Sequence, residues 1–163
     1  MRRPTLASTF ELDRKTKGLS GVVAGVVEFE ECVIRDKVEG VDLLVAGQVP
    51  ANPLELLSSH KFKDLLERLS KEYDHIIIDS APTQSVSDSL VLSTVADMVV
   101  YVIKADATSA TAAKKGIQRL RNSGAELAGV ILNHVDLEKN SYYDSDYYNG
   151  YYQTYQYKED SKS

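Results

Sequence analysis

Short, dense apolar runs alternate along this chain with stretches in which apolar residues recur at helical spacing. Positions 41–46, 75–78, 98–103 and 128–132 are the runs, and they end at Gly47, Asp79, Lys104 and Asn133. They are rich in Val and Ile and do not alternate cleanly with polar residues, the pattern of parallel strands covered on both faces. Between them, Phe62, Leu65, Leu66 and Leu69 recur at i, i+3, i+4, i+7 with Lys and Glu on the opposite face, which predicts an amphipathic helix. Positions 85–95 carry Val86, Leu90, Val91, Thr94 and Val95, and 110–122 carry Ala113, Ile117 and Leu120 before the Ser123-Gly124 stop. Strand and helix in strict alternation imply a parallel sheet with right-handed crossovers and flanking helices, an α/β fold.

The flanks of this pattern are less regular. Positions 18–25 (GLSGVVAG) suit a strand by their valines or a short helix capped at Ser20, and propensity alone leans to the strand. Pro50 and Pro53 stiffen a loop, since each proline also restricts the residue before it, and a helix begins at 54–58. From about Ser141 the chain becomes a low-complexity strip. Eight of the ten tyrosines lie within 142–157, among Asp, Ser, Asn, Gly, Gln and Thr, with almost no aliphatic residue to build a core. The expected organisation is one domain over 1–140 and a disordered, flexible tyrosine tail over 141–163, whose hydroxyls are placed where something can read or modify them.

Composition changes this picture mainly by exclusion. Hydrophobic residues at 43% and charged residues at 26% describe an ordinary globular chain. A net charge of −5 argues against nucleic acid as a partner, and Arg2-Arg3 is too short a basic cluster to reverse that. Cys32 stands alone, so no disulfide forms within the chain, and it reads as a small half-buried residue on a helix. His60, His75 and His134 show no metal-ligand spacing. No run approaches the roughly 20 apolar residues that span a bilayer. Two arginines without an apolar stretch behind them do not make a signal peptide, so a cytoplasmic location is expected.

The candidate chemistry sits at the strand ends. HIIID followed by Ser80-Ala81-Pro82 has the shape of a Walker B element, whose carboxylate holds Mg²⁺ beside nucleotide phosphates at the C-terminal edge of a sheet. An Asp that merely caps the following helix reads the same way. Lys104, Asp106, Thr108 and Ser109 follow another strand and suit either an active-site mouth or a plain polar loop with a helix N-cap. Tyr73 and Tyr101 look like packing residues.

Taken together, GQVPANPLELLSS, KEYDHIIIDSAP, SDSLVLSTVADMVVYVIKADATS, AGVILNHVD and the tyrosine tail resemble the bacterial tyrosine kinases. These are the autokinases of capsule and exopolysaccharide synthesis, built on a P-loop fold related to the MinD/ParA ATPases, which lack such a tail. The resemblance spans essentially the whole chain and turns 18–25 and the following EFEECVI toward short helical pieces. It implies that Asp79 is the Walker B aspartate, supporting Mg²⁺ and helping to deprotonate an attacking tyrosine. It places Asn133 near an adenine base and makes Arg2, Arg3 and Pro4 the end of Walker A′, with Arg3 at the nucleotide. Tyr142, Tyr143, Tyr147, Tyr148, Tyr151, Tyr152, Tyr155 and Tyr157 become the autophosphorylation cluster. The implied cofactors are ATP and Mg²⁺. The implied partners are other kinase subunits in a ring-forming homo-oligomer, a transmembrane polysaccharide co-polymerase or activator (fused or separate) and a tyrosine phosphatase, at the inner face of the cell membrane.

The departure from the family pattern is equally specific. No GxxxxGK[ST] loop occurs in the sequence, and the acidic residues of Walker A′ are not there either. The fold expected is therefore a partial P-loop NTPase fold lacking the Walker A and Walker A′ strands, the C-terminal part of a kinase domain with negligible activity alone. A catalytically dead paralogue that accepts phosphate or modulates assembly, and a MinD/ParA-like ATPase of another function, are the alternatives.

Overall fold

A computed structural model of the chain describes residues 9–13, 16–84 and 87–136. Along them run α1 (Leu19–Ala24), a 3-10 turn (Phe29–Glu31), β1 (Ile34–Val38), β2 (Val41–Leu43), α2 (Pro53–Ser58), α3 (His60–Leu69), α4 (Asp88–Ser93), β3 (Val99–Lys104), α5 (Ala110–Asn122) and β4 (Leu127–Asn133). The mixed α/β class stands. Its sheet is smaller than the apolar runs predict: β3 and β4 pair in parallel, and β1 and β2 form a separate antiparallel pair.

Two of the four expected parallel strands therefore need correction. Positions 41–46 do not enter the parallel sheet; Val41–Leu43 folds back on Ile34–Val38 around Glu39-Gly40, with Gly40 at φ 70°. That short hairpin uses the left-handed freedom of glycine, a local signal stronger than the apolar run behind it. Positions 75–78 form no ladder with any described strand, and Ile77 is 93% exposed. An apolar run becomes a strand only where a neighbour takes up its backbone groups. The EFEECVI segment is helical only over Phe29–Glu31, since Ile34 already opens β1. Within 85–95 the helix covers Asp88–Ser93, and 85–86 lie outside the described residues. The helical alternative for 18–25 is the observed one.

The helices start and stop for local reasons. Pro53 sits in the first turn of α2, and the Asn52 side chain accepts from the Glu55 amide at 3.3 Å while donating to the Glu55 carboxylate at 3.0 Å. Ser59 ends α2 and caps α3, accepting from the Phe62 amide at 3.2 Å. Ser109 caps α5 through the Ala112 amide at 3.2 Å.

One hydrophobic core gathers Val23, Phe29, Leu57, Phe62, Leu65, Leu69 and Leu92, with Leu44, Ile78 and Val91 packed around it. The predicted α3 face supplies three of these residues, so its amphipathic spacing buries the expected stripe. Arg68 lies 5.3 Å over the Phe29 ring, and Tyr73 meets the same ring edge-on at 6.5 Å. The Tyr73 hydroxyl donates to Asp42 at 2.7 Å, tying the hairpin to the end of α3, and Arg35 stands 3.5 Å from the same carboxylate. Burial first, then that hydrogen bond, pushes the Tyr73 phenol above its ordinary value. Cys32 is buried beside the 3-10 turn, its thiol pushed up chiefly by burial, which makes it a packing residue.

Candidate functional site

The C-terminal edge of the parallel sheet collects the polar residues that the strand ends release. Before that sheet in the chain, at the end of an apolar run that joins no ladder among the described residues, Ile78 packs on the core while Asp79 stands exposed. The loop after Asp79 is pinned at two points: the buried Thr83 hydroxyl donates to the Tyr101 hydroxyl at 3.4 Å, and the Gln84 amide donates to the Ala112 carbonyl at 3.1 Å. Tyr101 belongs to β3 and Ala112 to the first turn of α5, so Thr83 and Gln84 draw the Asp79 loop toward the capped start of α5. Sequence reasoning missed both residues; their only signal is a Thr-Gln pair directly after Pro82.

The ends of β3 and β4 lie side by side. Lys104 and Asn133 are register partners, and the Ala105 amide donates to the Asn133 carbonyl at 2.8 Å, carrying the ladder one step past β3. The Asn133 side chain accepts from the His134 amide at 2.9 Å. Asp106 and His134 have φ of 57° and 58°. A left-handed conformation costs a non-glycine residue about 1–2 kcal/mol. Such strain gathers where the chain must turn sharply to present a surface. Ser109 acts as a helix N-cap, the plainer of its two expected roles.

Of the sequence-predicted residues, Asn133 and Lys104 are brought together, and Asp79 stands exposed on the loop that Thr83 and Gln84 pin. Arg3 and all eight tail tyrosines lie outside the described residues. Tyr73 packs against the core, as expected, and donates to Asp42, while Tyr101 accepts from Thr83.

The donor set does not by itself fit Mg²⁺ and a nucleotide. Among the described residues no three His, Cys, Asp or Glu side chains group closely enough to hold a metal. The sequence has no glycine-rich phosphate loop with its lysine. Asp79 is thus an exposed carboxylate that no such group among the described residues joins. No helix among the described residues is long and apolar enough to cross a membrane.

Comparison with known proteins supplies what the geometry leaves unnamed. Residues 4–134 match the family model described as an AAA domain. Over 143 residues the chain is 33% identical to the "putative tyrosine-protein kinase CapB" of Staphylococcus aureus, covering 88% of this chain and 62% of that protein. Over 154 residues it is 35% identical to the "tyrosine-protein kinase YwqD" of Bacillus subtilis, covering 94% of this chain and 62% of the relative. The crystal structure of the VpsO kinase domain superposes with a TM-score of 0.78 at 38% identity, over 83% of this chain and 66% of that one. The kinase domain of the Escherichia coli tyrosine kinase ETK gives 0.77 at 32% identity, over 82% and 52%. The chain thus spans 62% of the length of CapB and YwqD and only 20% of the longer tyrosine-protein kinase Wzc of Salmonella typhimurium.

Proposed function

We propose that this chain, which belongs to the AAA-domain family and within it to the bacterial tyrosine kinases, is the C-terminal part of a protein-tyrosine autokinase acting in capsule or exopolysaccharide production. In this reading Asp79 is the Walker B carboxylate that would hold Mg²⁺, Asn133 lies near the adenine, and Arg3 closes Walker A′. The eight tyrosines from Tyr142 to Tyr157 receive the phosphate. Partner subunits in a ring and a membrane-spanning polysaccharide co-polymerase, fused or separate, hold the enzyme at the inner membrane face, and a tyrosine phosphatase resets the tail.

The observation that carries this reading is the placement of Asp79. It ends an apolar run and stands exposed on a loop tied to β3 and to the start of α5. Open α/β sheets take their ligands beyond the C-terminal ends of such runs. Each phosphate adds about −1.5 to −2 charge, so several beside Asp144, Asp146, Glu159 and Asp160 would repel neighbouring tails and loosen a ring.

The test joins this chain behind the N-terminal part of CapB, the part its match leaves out. Incubated with ATP and Mg²⁺, the fusion gains phosphotyrosine, the chain alone gains none, and Asp79→Asn in the fusion loses the signal. A folded fusion without phosphotyrosine overturns the reading. A second reading, a phosphate acceptor serving an intact kinase, is favoured by the missing GxxxxGK[ST] loop. It predicts labelling of the tail when an intact relative is added in trans, with no requirement for Asp79.

A further inference from the structure

The two longest helices among the described residues carry their charges differently. On α3, Lys61, Lys63 and Arg68 are interspersed with Asp64 and Glu67, and Arg68 reaches Glu30 at 3.4 Å and Glu72 at 4.0 Å. On α5 stand Lys114, Lys115, Arg119 and Arg121, and no acidic residue. The helix lies within 107–125, the longest stretch of the sequence without Asp or Glu, in a chain whose net charge is −5. Asp106 and Glu126 bracket that stretch from outside. An all-cationic helix in an acidic chain is a local segregation of charge against the overall balance.

The cations share one side of the helix. Ala113, Gly116 and Leu120 are buried, with Gly116 facing the Tyr101 hydroxyl of β3, so α5 lies flat on the parallel pair. The opposite arc holds two ridges at i, i+4, i+7: Lys114, Gln118 and Arg121, then Lys115, Arg119 and Asn122. Arg119 is half-buried and the other five are exposed. The Gln118 amide donates to Asn122 at 2.8 Å, so these ridges present only cations and amides along a helix about 20 Å long. None of the four cations pairs with a described carboxylate, whereas Lys17, Arg35 and Arg68 each do. Lys115 and Arg119 stand at i, i+4, a like-charge spacing that costs helix stability. Arg119 and Arg121, in the last turn, answer the negative end of the helix dipole. Lys114 and Lys115, in the second turn, have no such local role.

We propose that this side of α5 is a docking surface for an anionic lipid bilayer. A convex helix side bearing flexible cationic side chains suits a plane of diffuse negative charge. A single anion calls instead for donors converging on a concavity. Clustered Lys and Arg on one helix face gain affinity for anionic headgroups with each cation added. Nucleic acid fits this side less well. The inner face of α5 is spent on the sheet, so the helix does not project into a groove, and the ridges offer no aromatic ring for a base to stack on. The surface would give the domain a contact of its own with lipid. It requires neither nucleotide nor phosphotyrosine, so it stands or falls apart from the kinase reading.

The test pellets vesicles with the full chain, without ATP, at low and at high salt. One set is phosphatidylcholine alone and the other contains one third phosphatidylglycerol. The expected result is binding to the phosphatidylglycerol vesicles that high salt abolishes, with little binding to phosphatidylcholine. Lys114→Gln together with Lys115→Gln leaves the circular dichroism unchanged and weakens that binding roughly thirtyfold. Lys63→Gln together with Lys71→Gln, the same change of net charge at exposed positions on and just after α3, leaves it unchanged. Absence of binding, or equal losses in the two double variants, overturns the proposal. Equal binding to both vesicles, or binding that survives high salt, makes the exposed Val100, Val102 and Ile131 the adhesive face and overturns it too. So does a duplex DNA, or a synthetic 141–157 peptide carrying phosphotyrosine, that binds more tightly than the vesicles and loses its binding in the α5 variant. The face then belongs to that other polyanion.

Discussion

Alanine at position 18 would drive a methyl group into a backbone that cannot move aside. A Cβ there stands 2.2 Å from the Val45 carbonyl oxygen, 2.6 Å from the Gly47 nitrogen and 2.9 Å from the Gly47 Cα. The φ of Gly18 is −169°, extended backbone that any residue adopts, so the penalty is wholly one of close approach. Relieving it separates α1 from the 45–47 segment and breaks the Leu19 amide bond to Val45 at 2.8 Å and the Ser20 amide bond to Ala46 at 3.0 Å. Two such bonds contribute about 1 kcal/mol each net. Val23, 4% exposed on α1, loses part of a burial worth about 1.5–3 kcal/mol. The expected cost of Gly18→Ala is therefore about 3–4 kcal/mol. Gly40→Ala is the control: its φ is 70°, but nothing lies within 4 Å of the added Cβ, so only left-handed strain of about 1–2 kcal/mol applies. Urea unfolding followed by far-ultraviolet circular dichroism compares the two, and an unfolded Gly18→Ala chain agrees with the larger cost. A midpoint for Gly18→Ala at or above that of Gly40→Ala would refute the close-approach argument.

Three further outcomes are expected. Gly116→Ala meets the Tyr101 hydroxyl and then the Thr83 hydroxyl, but Tyr101 presents the end of a side chain that can swing; with about 1 kcal/mol of helix propensity gained, the net loss should be small. It should shrink further in a Tyr101→Phe background, and a double-mutant cycle without coupling would remove the contact from the account. Tyr73 has its pKa raised in the folded chain, so its stabilisation is complete below about pH 10, the unfolded value, and is lost as pH rises through the folded value. Tyr73→Phe should flatten the alkaline end of the stability profile while lowering stability at neutral pH by about 1 kcal/mol; an unchanged alkaline slope would contradict this. The chain alone, with strand edges unpaired among the described residues and apolar strand faces open to water, should melt broadly. A sharp two-state melt of the isolated chain counts against that expectation.

What the sequence made legible was local. The spacing of Phe62, Leu65 and Leu69 and the Ser109 cap place α3 and α5 correctly, because caps and apolar stripes are written in consecutive residues. Pairing was not legible in the same way. The run 75–78 has strand composition but forms no ladder among the described residues, since a strand requires a neighbour and composition alone does not supply one. The run 41–46 was diverted by Gly40, whose turn pairs Val41–Leu43 with the residues just before it. Asp79 was visible as the polar end of an apolar run, whereas Thr83 and Gln84, which aim its loop, depend on contacts 18 and 28 residues away.

Mass spectrometry of the tail tests the central claim most directly. With ATP and Mg²⁺, tyrosines from Tyr142 to Tyr157 should carry phosphate when the chain is joined to the N-terminal part of CapB, and none when it is alone or when Asp79→Asn is present in the fusion. Phosphate on the tail of the isolated chain, or phosphate in the fusion that Asp79→Asn leaves undiminished, would contradict it.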